Sequence, residues 1–146
     1  MIINEECMRT ILVKLQKELE VSFYDNKCCF LAISVQMLMD DMKDEYKQKD
    51  IWYSVYNLVA CGFIEGININ YMDRNSFDNL DITNITYKGH KFIESIKDEG
   101  VWNKTKNIVE KVGNHTLGFI ESVAHDVAVE SAKQFIKSTC STTNQT

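Results

Sequence analysis

Proline is absent from the 146 residues, so there are no X-Pro turns and no rigid proline linker. Segment ends must be set by glycine, asparagine, aspartate and serine instead. Positive charge is not in excess either: 21 acidic side chains stand against 16 basic ones, a formal net charge of −5, and no basic tail or run offsets it. Sequence-independent affinity for nucleic acid comes mainly from neutralising phosphates, so this balance weighs against nucleic-acid binding driven by charge. The five cysteines, Cys7, Cys28, Cys29, Cys61 and Cys140, are odd in number and hold no C-x-x-C pair; they read as reduced intracellular thiols, not a zinc or redox site. No stretch approaches the roughly 20 apolar residues of a membrane span, and residues 1–6 carry early acids in place of a basic n-region. The expectation is a soluble, cytoplasmic protein with no membrane partner.

Catalytic signatures are missing as well. No Gly-x-x-x-x-Gly-Lys, Gly-x-Gly-x-x-Gly, Gly-x-Ser-x-Gly or His-Glu-x-x-His stretch occurs. The carboxylates of Asp40-Asp41 and Asp44-Glu45 have the pattern of a solvated helix end, not of a buried acid pair. His90 has no cysteine or acid at ligand spacing and reads as a packed or capping residue, while His115 and His125 are ten positions apart. Adjacent Cys28 and Cys29 are poorly placed for a shared metal or an ordinary disulfide. These absences predict that the protein is not an enzyme and has no catalytic residues, no cofactor and no metal.

What is present is enough apolar content, 45%, to bury one core. The pattern suits one domain over residues 4–98, a helical extension over 99–137 and a disordered tail over 138–146, where apolar periodicity stops. Asn4 before Glu5 and Glu6 predicts a helix start, and Cys7, Ile11, Leu12, Leu15 and Leu19 recur on one stripe until about Glu20. Residues 21–34 contain Asp25-Asn26-Lys27 and then an apolar run from Cys28 to Ile33, which fits a tight turn followed by a buried strand or the start of a helix. The strand is preferred. Ser34 caps a short helix carrying Val35, Leu38, Met39 and Met42.

The clearest helix follows, with Ile51, Val55, Leu58 and Val59 on one face, Trp52 widening it and Gly62 at the C-terminal cap. Its opposite face carries Lys49, Tyr53, Tyr56, Asn57 and Ala60. Residues 63–71 alternate as a strand, Asp73-Arg74-Asn75-Ser76 reads as a loop, and a second strand runs to Tyr87. At Thr86 the apolar period changes from that of a strand to that of a helix continuing with Phe92, Ile93 and Ile96. Thr86 can cap that helix and Gly89 leaves room for close packing on the preceding sheet. Gly100 interrupts, a helix from Val101 to Val112 closes at Gly113, and Asn114 caps a last one carrying Leu117, Ile120, Val123, Ala124, Val127 and Phe135. Both tryptophans, Trp52 and Trp102, lie on apolar helical faces and read as core.

The order helix, strand, helix, helix, hairpin is that of a winged-helix domain followed by C-terminal helices, a mainly α fold with a small antiparallel sheet (α+β). Three ordered stretches, Asn57-Leu58-Val59-Ala60-Cys61-Gly62-Phe63-Ile64-Glu65-Gly66, Ile85-Thr86-Tyr87-Lys88-Gly89-His90-Lys91-Phe92-Ile93 and Val101-Trp102-Asn103-Lys104-Thr105-Lys106, carry a likeness that runs from Ile51 to Val112. The chain resembles a bacterial and prophage family known as domain of unknown function 2513. Phe63 replaces the first apolar residue after the helix-end glycine, Ile85 replaces a leucine and Tyr87 stands where tryptophan is common; residues 21–44 depart more. The resemblance implies a winged-helix-like fold and a phage or mobile-element setting, and brings no activity or catalytic residue with it.

Two functions compete. A regulatory DNA-binding factor would place Tyr53, Tyr56 and Asn57 in a major groove, with Lys49 nearby and Arg74 reaching a minor groove. Against it, Lys43, Lys47 and Lys49 are matched by Asp44, Glu45 and Asp50, and Arg74 is alone among Glu65, Asp73, Asp78 and Asp81. The alternative is a protein-interaction module whose tyrosine-bearing face binds a host or phage protein, with a homodimer through the C-terminal helices.

Overall fold

The computed structural model describes residues 1–68 and 80–143. It divides into two compact units, Met1–Ile93 and the chain from Glu94 onward. The fold is mainly helical with small antiparallel sheets, the expected α+β class.

The first unit opens with α1 (Glu5–Glu18), whose N-cap Asn4 accepts a hydrogen bond from the Cys7 N–H at 3.1 Å. Its buried face is Cys7, Ile11, Leu12 and Leu15 of the expected stripe plus Met8, while Leu19, expected as the stripe's last member, is the half-buried C-cap just past the helix end. A hairpin follows, β1 (Glu20–Tyr24) and β2 (Lys27–Leu31), paired in register from Glu20↔Leu31 to Tyr24↔Lys27. Asp25 and Asn26 form its two-residue turn with φ of 50° and 59°, the left-handed pair that suits the twist of adjoining strands. β2 is a strand as expected, but every residue of it is exposed. A short apolar run bounded by turn residues has the same pattern whether or not anything covers it, and here the run belongs to a two-stranded ribbon standing off the core.

Next come β3 (Ile33–Ser34) and α2 (Val35–Met42), with Ser34 Oγ accepting from the Met37 N–H at 3.1 Å. After a five-residue connection, α3 (Gln48–Ala60) packs across α1 and α2. It ends at Gly62, φ +75°, where the Gly62 N–H donates to Val59 O and the Phe63 N–H donates to Leu58 O; these two bonds define a Schellman cap. β4 (Ile64–Asn68) and β5 (Leu80–Ile85) pair antiparallel, with β3 on the other side of β5, giving the order β3-β5-β4. The strand expected over 63–71 is paired to Asn68; residues 69–71 and the loop with Arg74 lie outside the described residues.

Tyr87 is not the end of a strand but the first residue of α4 (Tyr87–Ile96). Thr86 ends the ribbon because it serves both sides. Its N–H donates to Phe63 O at 3.1 Å, its hydroxyl donates to Gly62 O at 2.6 Å, and the same oxygen accepts from the Gly89 N–H at 3.0 Å. A Cβ on Gly89 would fall on the Phe63 carbonyl oxygen, so only glycine lets α4 lie this close. Phe92 meets Phe63 with ring centroids 5.1 Å apart.

The second unit holds α5 (Glu99–Val112) and α6 (Leu117–Thr143), packed on each other. Asp98 caps α5 through the Val101 N–H, so Gly100 lies inside its first turn and does not interrupt it. Gly113, φ 76°, closes it. Trp102, Thr105 and Val109 of α5, with Leu117, Ile120 and Ala124 of α6, are buried. Asn114 makes a turn, accepting from the Thr116 N–H and hydroxyl, and the helix starts at Leu117, two residues later than a cap at Asn114 predicts. Two corrections concern the far end of α6. Phe135, expected in the core, is 71% exposed. The segment from Ser138, expected to be a disordered tail, continues as helix through Thr143: no glycine or proline after Gly118 breaks the backbone, and the Ser138 and Thr139 hydroxyls turn back onto Phe135 O.

Candidate interaction surface on the third helix

Burial divides α3 cleanly. Ile51, Ser54, Val55 and Leu58 are enclosed, at the one-turn spacing that faces a core. On the outer side Lys49 is exposed, Tyr53 and Asn57 are half-buried, and Tyr56 is 40% exposed. Four of the five expected contact residues therefore share one face, and neither tyrosine is interior. Arg74 lies outside the described residues.

Trp52 belongs to this face too, which the reading of it as core missed. It is half-buried and stacks on Tyr56, one turn on, with centroids 5.6 Å apart and planes 10° from parallel. The i,i+4 spacing of the two aromatics was the available signal. Asn57 is less free than a groove-reading asparagine: its Nδ2 donates to Tyr53 O at 2.7 Å, which holds the amide along the helix. Reading an adenine edge takes both the donor and the acceptor of such an amide, so this bond competes with that use.

The surroundings are mixed in charge. Exposed Lys43 and Lys47 in the α2–α3 connection sit among exposed Asp44 and Glu45, and Asp50 is half-buried in the first turn of α3. On the sheet, Glu65 of β4 accepts from Asn84 Nδ2 at 3.3 Å. Two concavities lie elsewhere. One, about 170 Å³, is lined by Leu15, Leu19, Val21, Phe30, Ile85 and His90. The other, about 260 Å³, runs between α5 and α6 beside Lys104, Ile108, Val127 and Glu130. Both fall below the ~300 Å³ lower bound usual for small-molecule pockets. Among the described residues no three His, Cys, Asp or Glu side chains converge as a metal ion requires, and no helix is long and apolar enough to cross a membrane.

Fold and surface define a mainly helical α+β protein that offers solvent an aromatic face of one core helix. Residues 3–115 match the family model described as Hypothetical protein (DUF2513), and the chain belongs to that family. Neither a curated protein nor a solved structure shows significant similarity to it.

Proposed function

We propose that residues 1–93 form a winged-helix domain and that the protein is a regulatory DNA-binding factor of bacterial or prophage origin, acting in the cytoplasm and without catalytic activity. The observation that carries this reading is topological. The order α1, β3, α2, α3, β4, β5, with the β1–β2 ribbon inserted between α1 and β3, and the sheet order β3-β5-β4 leave the outer face of α3 uncovered next to an antiparallel hairpin. That is the layout in which a second helix of a helix-turn-helix pair enters a major groove. Lys49 would meet a phosphate, Tyr53 and Tyr56 would meet base edges or sugars, and Arg74, on the chain between β4 and β5, would add a cation beside the helix.

The test is fluorescence anisotropy of a mixed-sequence duplex pool at low salt, where electrostatic binding is strongest. Wild type is expected to bind, Lys49→Ala to weaken all sequences roughly fivefold, and Tyr56→Ala to weaken further while the circular dichroism stays native. No retention of duplex by wild type at low salt overturns the proposal.

A second reading, a protein-interaction module, is favoured by the Trp52–Tyr56 stack, by the Asn57 amide bond and by charge. Residues 1–93 hold fourteen acidic and ten basic side chains. Aromatic residues at the centre of a face that is not strongly charged are typical of protein interfaces. Under this reading Tyr53→Ala with Tyr56→Ala abolishes capture of a bacterial or phage protein; unchanged pull-down profiles count against it.

A further inference from the structure

The groove between α5 and α6 combines an apolar floor with one charge of each sign, and neither charge is paired. Lys104 and Ile108 line it from α5, and Val127, Glu130 and Gln134 from α6; each set recurs at one-turn spacing, which keeps it on one side of its helix. Ile108 is 39% exposed and Val127 is half-buried, so the floor is within reach of a ligand yet partly screened from water. Among the described residues Lys104 and Glu130 form no ion pair, with each other or with any other side chain. The side chains of Asn107, Ser131 and Gln134, which also line the groove, make no hydrogen bond among the described residues. Every polar group around the floor is therefore available to a ligand.

Size and charge together select that ligand. The groove holds about 260 Å³; since an apolar cavity of roughly 150 Å³ takes up benzene, this is room for about ten non-hydrogen atoms. A molecule of that size that answers an ammonium and a carboxylate at once is itself a zwitterion, and the floor of Ile108 and Val127 calls for an apolar group beside its charges. We infer that the groove binds a free α-amino acid with an apolar side chain, of which leucine is an example. Its carboxylate meets Lys104, with the Asn107 amide as a further donor. Its ammonium meets Glu130, with the Ser131 and Gln134 oxygens as further acceptors, and its side chain lies across Ile108 and Val127. A simple amine or a simple carboxylic acid of the same size leaves one of the two charges unanswered. Ion pairs in contact with water contribute modestly, so a dissociation constant on the order of 0.1–1 mM is expected. The site lies wholly within the second unit, and the inference does not depend on what α3 binds.

Heteronuclear NMR titration of the full chain with L-leucine alone tests it. Saturable shifts are expected on the amides around Lys104, Ile108, Val127 and Glu130, complete by about 20 mM. Three probes each lack one part of the ligand: isopentylamine has no carboxylate, 4-methylpentanoate has no ammonium and glycine has no apolar side chain. Each is expected to bind about fivefold more weakly or worse. Lys104→Met is expected to weaken leucine by about the same factor without weakening isopentylamine, and Glu130→Gln to weaken leucine without weakening 4-methylpentanoate. Both side chains are exposed, so circular dichroism is expected to stay native in both variants. Absence of a saturable shift, shifts centred outside α5 and α6, or a probe that binds as tightly as leucine overturns the proposal. So does leucine binding that neither variant changes.

Discussion

Cys7 is fully enclosed on the inner face of α1, and burial is the main reason its thiol pKa is raised from 9.0 to about 11. The Ser54 hydroxyl lowers it in part and the Asp50 carboxylate adds to the rise. The folded state therefore keeps a proton that the unfolded chain gives up. Stability is whole below about pH 9 and is lost as pH rises from 9 toward 11, by roughly 2–3 kcal/mol. Denaturant titrations between pH 8 and 11 are expected to show this loss, and Cys7→Ala to flatten it while lowering stability at neutral pH. A second residue sits under tighter geometry. Gly89→Ala puts a methyl group on the Phe63 carbonyl oxygen, a backbone atom that cannot turn aside, and is expected to cost about 3 kcal/mol or more in urea unfolding. The role of Gly89 was legible because it follows the capping threonine at a change of period. The burial of Ser54 was not, because a serine within an apolar stripe has the same pattern whether its hydroxyl faces solvent or, as here, is enclosed in the core.

The caps that bound α1, α2, α3 and α4 were readable because each depends on one local side chain or one backbone angle. Asn4, Ser34 and Thr86 supply oxygens to free N–H groups, and Gly62 supplies a positive φ. A Cβ added at Gly62 would meet nothing within 4 Å, so Gly62→Ala carries only the left-handed backbone penalty and is expected to cost about 1 kcal/mol. Equal losses for Gly62→Ala and Gly89→Ala would mean that close packing of α4 is not what Gly89 provides. Elements that depend on distant partners are less legible. The exposed β1–β2 ribbon has the pattern of a buried strand, Trp52 that of a core residue, and Phe135 that of the inner face of α6. In each case the hydrophobic pattern is real and the missing information is whether another segment lies against it.

At the scale of the molecule, charge decides how any DNA complex must behave. Acidic side chains outnumber basic ones in residues 1–93, so few phosphates can be neutralised. If Lys43, Lys47 and Lys49 are the contacts, the logarithm of the binding constant should fall with the logarithm of salt at a slope of about −3. An anisotropy titration from low to moderate salt measures it, and a slope near −6 or steeper would assign the binding to lysines away from α3. Composition, caps and periodicity were sufficient to set the α+β class, the caps of α1 to α4 and the outward side of α3, because these follow from local propensity and from one-turn or two-residue repeats. Long-range packing alone settled that β3 lies across β5 from β4, that nothing covers Trp52 as a core residue would be covered and that the end of α6 is left exposed, because each depends on segments far apart in the chain meeting or failing to meet.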